Sequence, residues 1–237
     1  MKKSGSIAGS ALRKSLETIN IGVSEIEVDK AAEEEIYKLG GDLSYKTVPD
    51  YKYATCITVN DQVVHGLPTE RKFKEGDLVS VDLAVMYKGW HTDCAWSVLV
   101  GTSEHREKQR FLKVGEEALW DGIYQAKLGN RIGDISYAIQ SRVEKAGYHI
   151  VRSLVGHGIG RSLHEDPEVP GFGDKGTGVI LKQGMTLAIE VIYTKNTSEV
   201  VLGSDNWTFS ASDGSWGGLF EMTVIVGKEK AEVLTKI

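Results

Sequence analysis

The sequence predicts an α+β fold built as two similar halves. Two observations carry this. Helical spacing of apolar residues gives way to short β-branched runs bounded by turn residues, and the same order, two helices then strands, begins again at Ser103. No low-complexity tract, long charge run or flexible linker separates the two stretches. The 237 residues therefore read as a single domain, 1–237, with halves of approximately 1–103 and 104–237.

In the first half, Ile7, Ala11, Leu12, Leu16 and Ile19 keep helical spacing and predict a helix from about Ile7 to Ile19. A second helix begins at "SEIEVDK", where Ser24 and Glu27 form a capping box, and stops at Gly40-Gly41. "YATCITVN", "VVHGLP", "DLVSVDLAVMY" and "TDCAWSVLVG" then read as strands. In the second half a helix starts near Glu104, turns Phe111, Val114, Ala118, Leu119 and Ile123 to one side, and fades at Gly129-Asn130. Asp134 is placed to cap the next helix, which ends near Gly147. "HIVRSLVGHGIG", "MTLAIEVIYT", "EVVLGSDNWTFSA" and "LFEMTVIVG" are again strand-like.

Composition excludes several functions. A net charge of −5 lacks the basic footprint of a nucleic-acid partner. No stretch is long and apolar enough to span a membrane, and the first residues lack the apolar core of a signal peptide. Cys56 and Cys94 suit free thiols in a reducing compartment, so a cytoplasmic location is expected.

The chemistry lies in strand acids. Asp82 and Asp93 flank a two-residue turn at Lys88-Gly89. With that loop length Tyr87 faces Trp90, Asp93 lies opposite Ala84, and the two acids become diagonal neighbours on one sheet face. A loop longer by one residue would send them to opposite faces. His91, beside the turn, reads as a solvated surface residue. Glu190 in "MTLAIEVIYT" and Glu221 in "LFEMTVIV" are equally enclosed by apolar neighbours. Buried carboxylates need a partner, and the hairpin offers no cation besides Lys88 at its tip. His157 and His164 sit in the glycine-rich "GHGIGRSLHEDP", and His65 ends a strand in "NDQVVHGLP". Four carboxylates with one or two imidazoles describe an oxygen-rich site for manganese, iron, cobalt or zinc. The excess of acids points to two bridged ions and to hydrolysis.

The ordered set Asp82, Asp93, His157, Glu190 and Glu221, with "GHGIGRSLHEDP" and "VNDQVVHGLP", resembles the type I methionine aminopeptidases along nearly the whole chain. The resemblance implies the pita-bread fold, two pseudo-symmetric halves of antiparallel sheet covered by helices and closing over a dinuclear metal site. It implies that Asp93 and Glu221 bridge two divalent ions and that Asp82, His157 and Glu190 complete their shells. It gives Glu190 the proton of the attacking water, His164 the developing oxyanion, and His65 the peptide beside the cleaved bond. Tyr51, Cys56, Leu163 and Trp207 fall where that family lines its methionine pocket. The implied substrate is the N-terminal methionine of peptides and nascent proteins, handled by a monomer, with the ribosome as a further partner. Val191, Met222 and Leu163 depart from the residues usual in the family.

Two alternatives stand beside this reading. One is another pita-bread peptidase, such as an Xaa-Pro aminopeptidase. The other is a non-catalytic binding protein of the same fold, against which the full set of five ligands argues.

Overall fold

The computed structural model describes residues 1–102 and 104–237, so Ser103, where the sequence pattern restarts, lies outside the described residues. The first half holds α1 (Lys2–Thr18), α2 (Glu25–Lys38), β1 (Asp42–Leu43), β2 (Cys56–Val59), β3 (Gln62–Val64), β4 (Leu78–Tyr87) and β5 (Trp90–Leu99). The second holds α3 (Arg106–Gln125), α4 (Ile132–Lys145), β6 (His149–Ile150), β7 (Gly156–Gly158), β8 (Glu165–Val169) and β9 (Thr186–Thr194). It continues with β10 (Val200–Leu202), β11 (Phe209–Ala211), β12 (Gly217–Ile225) and β13 (Glu232–Val233).

One sheet runs through both halves in the order β1-β4-β5-β12-β9-β7-β8, with β2, β6 and β13 pairing off that path. All its pairings are antiparallel, and β5 against β12 joins the halves. One face is covered by helices. Val79, Val81, Leu83 and Val85 of β4 pack with Ile7, Leu12, Val28 and Ile36 of α1 and α2. Leu187, Ile189, Val191 and Tyr193 of β9 pack with Phe111, Leu119, Ile135 and Ile139 of α3 and α4. The opposite face of the long strands is also largely buried. A strand enclosed on both faces reads as a continuous apolar run, which is why the acids stand out within it.

Several expectations needed correction. Helix α1 starts at Lys2, five residues before the apolar spacing becomes visible. Its first turns carry Ser4, Gly5 and Gly9 because a Cβ on Gly5 or Gly9 would press within 2.5 or 2.1 Å of the Leu234 or Lys236 carbonyl oxygens. Close approach of the C-terminal segment there overrides helix propensity. Helix α3 ends at Gln125, ahead of Gly129. Asp134 is not the cap residue of α4. It sits three positions after Arg131 and accepts the Arg131 backbone N–H at 2.7 Å. The stretch from 199 to 211 is no single strand. β10 and β11 form a hairpin, and β11 pairs with β3 in a separate small sheet. "HIVRSLVGHGIG" divides into the short β6 and β7. The capping box of α2 is as expected, with Glu27 accepting the Ser24 N–H at 2.8 Å. No helix among the described residues is long and apolar enough to cross a membrane.

Candidate metal centre

The Lys88-Gly89 turn has the predicted length. Both residues have positive φ, 52° and 73°, as a tight primed turn requires. Tyr87 faces Trp90 and Ala84 faces Asp93. Strand register then brings the acids together. Asp82 is opposite Ala95, Ala95 is opposite Glu221, and Glu221 is opposite Glu190. Residues directly opposite share a face, as do residues two apart on one strand. Asp93, two from Ala95, therefore joins the row. His157 joins through its partner Ala188, two from Glu190. All five lie on the face turned away from the helices. Alanines at 84, 95 and 188 leave room between them.

Ligand atoms of Asp93, His157 and Glu221 lie within 4.8 Å of one another. Asp93 Oδ1 is buried without a hydrogen-bond partner. Burial holds all four carboxyls above the usual carboxylate range. Asp82 is pushed up to about 6 and Glu190 to about 8, the latter also by Asp82. Asp93 and Glu221 are also raised well above the usual range, first by burial and then by repulsion from the neighbouring acids. No lysine or arginine lines the cavity among the described residues. An orphaned buried oxygen, four mutually repelling carboxyls and one imidazole make a donor set that fits divalent cations.

His157 is held as neutral imidazole. Burial lowers its pKa to about 4. Its Nδ1–H donates to the Gly158 carbonyl at 2.9 Å, which leaves the Nε2 lone pair free. His164 meets His157 edge-to-face at 4.4 Å between ring centroids. His65, with φ of 57°, turns the chain at the end of β3 and stacks edge-on with Phe209. Both histidines keep solvent access, and partial desolvation lowers the pKa of each.

Every metal-ligand, catalytic and pocket residue expected from the sequence lines one cavity of about 360 Å³. Tyr51, Cys56, Leu163 and Trp207 form its apolar side. Tyr51 packs edge-on against Trp207 at 5.1 Å and donates its hydroxyl to the Thr55 carbonyl at 2.7 Å. Trp207 rides the β10–β11 hairpin, whose tip is held by Asp205 accepting the Trp207 and Thr208 N–H groups, each at 2.9 Å.

His91 contradicts its reading as a solvated residue. It is 4 % exposed, its Nδ1 lies 2.6 Å from Ser44 Oγ, and its backbone N–H donates to the Gly160 carbonyl. Tyr45 was missed. Its hydroxyl donates to Asp82 Oδ1 at 2.7 Å. It lies in a four-residue 3₁₀ turn, Ser44–Thr47, which carries no periodic signal.

This arrangement of sheet, covering helices and clustered donors defines a pita-bread metal hydrolase. The chain belongs to metallopeptidase family M24, whose model matches residues 1–228. It is 40 % identical over 237 residues to the methionine aminopeptidase of Clostridium perfringens, covering 100 % of this chain and 95 % of that protein. The crystal structure of methionine aminopeptidase from Thermotoga maritima matches with a TM-score of 0.97 and 43 % identity, covering 100 % of this chain and 95 % of that one. Prolidase from Pyrococcus furiosus shares the fold, with a TM-score of 0.79 at 23 % identity, covering 100 % of this chain and 62 % of that one.

Proposed function

We propose that this chain is a methionyl aminopeptidase, which removes the N-terminal methionine from peptides and nascent proteins. The observation that carries the reading is an oxygen-rich donor set and an aromatic pocket sharing one cavity. In this reading Asp82, Asp93, His157, Glu190 and Glu221 would hold two divalent ions, and Asp93 and Glu221 would serve both. Four carboxylates exceed what one divalent ion neutralises, and manganese, iron, cobalt and zinc all suit these donors. When bound, the ions supply the positive charge that polarises the scissile carbonyl and lets water attack near neutral pH.

The chain's own groups do the rest. A Glu190 carboxylate oxygen takes the proton of the attacking water and passes it on toward the leaving amine. A ring N–H of His164 donates to the oxyanion as it develops. His65 contacts the peptide beside the cleaved bond and steadies the leaving amine. Tyr51, Cys56, Leu163 and Trp207 receive the methionine side chain, an aromatic wall with a thiol suiting a polarizable thioether. The whole chain, with halves of approximately 1–103 and 104–237, acts as one catalytic domain. It works as a monomer in the cytoplasm and meets nascent chains at the ribosome. Two buried free cysteines accord with a reducing compartment.

The test is cleavage of Met-Gly-Met-Met against Xaa-Pro peptides, after chelation and re-addition of manganese, iron, cobalt or zinc. Metal-dependent release of methionine is expected. Faster cleavage of the proline peptides would overturn the assignment.

A further inference from the structure

Tyr45 sits in a turn tied down on several sides. Thr47 Oγ1 donates to the Ser44 carbonyl at 2.8 Å and tightens the turn. Ser44 Oγ reaches His91 Nδ1 on β5 at 2.6 Å. The Tyr45 ring packs edge-on against Tyr51 at 5.4 Å. Its hydroxyl donates to Asp82 Oδ1 on β4 at 2.7 Å. The Ser44-Tyr45 pair thus straps together the two strands that carry Asp82 and Asp93.

Asp82 ends the row of acids. Its cross-strand neighbours are Cys56, whose thiol is engaged by Tyr51, and the methyl of Ala95. A carboxylate turns about a broad sp³–sp² torsion, so its orientation is set by what bonds to it. A hydroxyl donating to a charged oxygen is a strong, directional bond, and here the donor is 8 % exposed on a fixed turn.

We propose that Tyr45 is a positioning residue for Asp82. It sets the affinity of the ion that Asp82 would hold, separately from the ion that His157 would hold. The proposal rests on the two-ion reading above. Partners of metal ligands that lie one bond further out change metal affinity by about 10- to 100-fold when removed.

The test is calorimetric titration of manganese into chelated protein, with metal content measured in parallel. Wild type should show two classes of site, and Asp82→Asn identifies the class that depends on Asp82. Tyr45→Phe keeps the ring and its contact with Tyr51. It should weaken that class about 10- to 100-fold and leave the other class unchanged. In the Asp82→Asn background the same change should have no further effect on manganese binding. Equal weakening of both classes, or the same loss with Asp82→Asn already present, would show a merely structural role and overturn the proposal. Wild type that binds one ion or none would overturn the two-ion reading and the proposal with it.

Discussion

Glu190 and Glu221 stand directly opposite one another in the β9–β12 ladder, both on the sheet face turned away from the helices. Like charges in that position repel, and burial deepens the cost. Asp82 and Asp93 extend the same crowd from the first half. A fold that aligns four acids on one face is stable with all of them ionised only when cations lie among them. The structural link between the halves and the chemistry of the site are therefore one feature, the β5–β12 pairing that brings Ala95 beside Glu221.

The metal-free protein should lose stability as pH rises. Glu190 keeps its proton in the native state up to about 8, and burial also raises Asp93 and Glu221 well above the usual carboxylate range. In the unfolded chain such groups lose their protons near about 4. Between these limits the native state binds more protons, so stability falls with rising pH. His157 works oppositely, because its native pKa is lowered, but that effect is complete once the unfolded histidine is neutral, above about pH 7. Melting temperatures of chelated protein should fall from about pH 7 to 8.5, and added manganese should raise them most at the upper end. A flat or rising profile would refute the carboxyl cluster as the source.

Asp93→Asn separates function from stability. Asp93 Oδ1 has no hydrogen-bond partner, and its carboxyl is opposed by Asp82 and Glu190. The amide removes one ionisable member of the crowd, so the chelated variant should melt above chelated wild type. Metal-dependent cleavage should fall by about 10³-fold or more, the scale of several kcal/mol of metal catalysis. Retained cleavage, or a lower melting temperature without metal, would contradict the role given to this residue.

The acids were legible because they break apolar strands, and their shared face followed from turn length and strand alternation. Tyr45 left no such mark, since a single 3₁₀ turn has no repeat to read. His91 was misjudged because nearness to a turn suggests exposure. Gly160 and Ser44, from distant parts of the chain, cover it. The start of α1 was hidden for a related reason. Its glycines serve close packing against residues 234 and 236 and not helix propensity. Contacts made at long range are what local pattern leaves out.

Trp207→Ala should weaken recognition of methionine without removing metal. Trp207 faces Tyr51 at 5.1 Å across the apolar side of the cavity and belongs to a hairpin outside the main sheet. Losing an aromatic wall of about 1.5–3 kcal/mol should lower kcat/KM about 10- to 100-fold. Metal content should stay at the wild-type level. Loss of bound metal in this variant would place Trp207 in the support of the donor set, against the pocket role.

His164→Ala tests the oxyanion role. The ring stands edge-on to His157 at the cavity wall, and partial desolvation lowers its pKa, so it is neutral at pH 7 and donates through its one N–H. Removing one donor to a developing oxyanion costs about 10²- to 10³-fold in kcat. KM for a methionyl peptide should change much less, because the bond strengthens only as charge builds on the carbonyl oxygen. Manganese affinity measured on the chelated variant should match wild type, since the five donors remain. A rise in KM at unchanged kcat would assign His164 to ground-state binding, and a loss of manganese affinity would make it part of the metal's support.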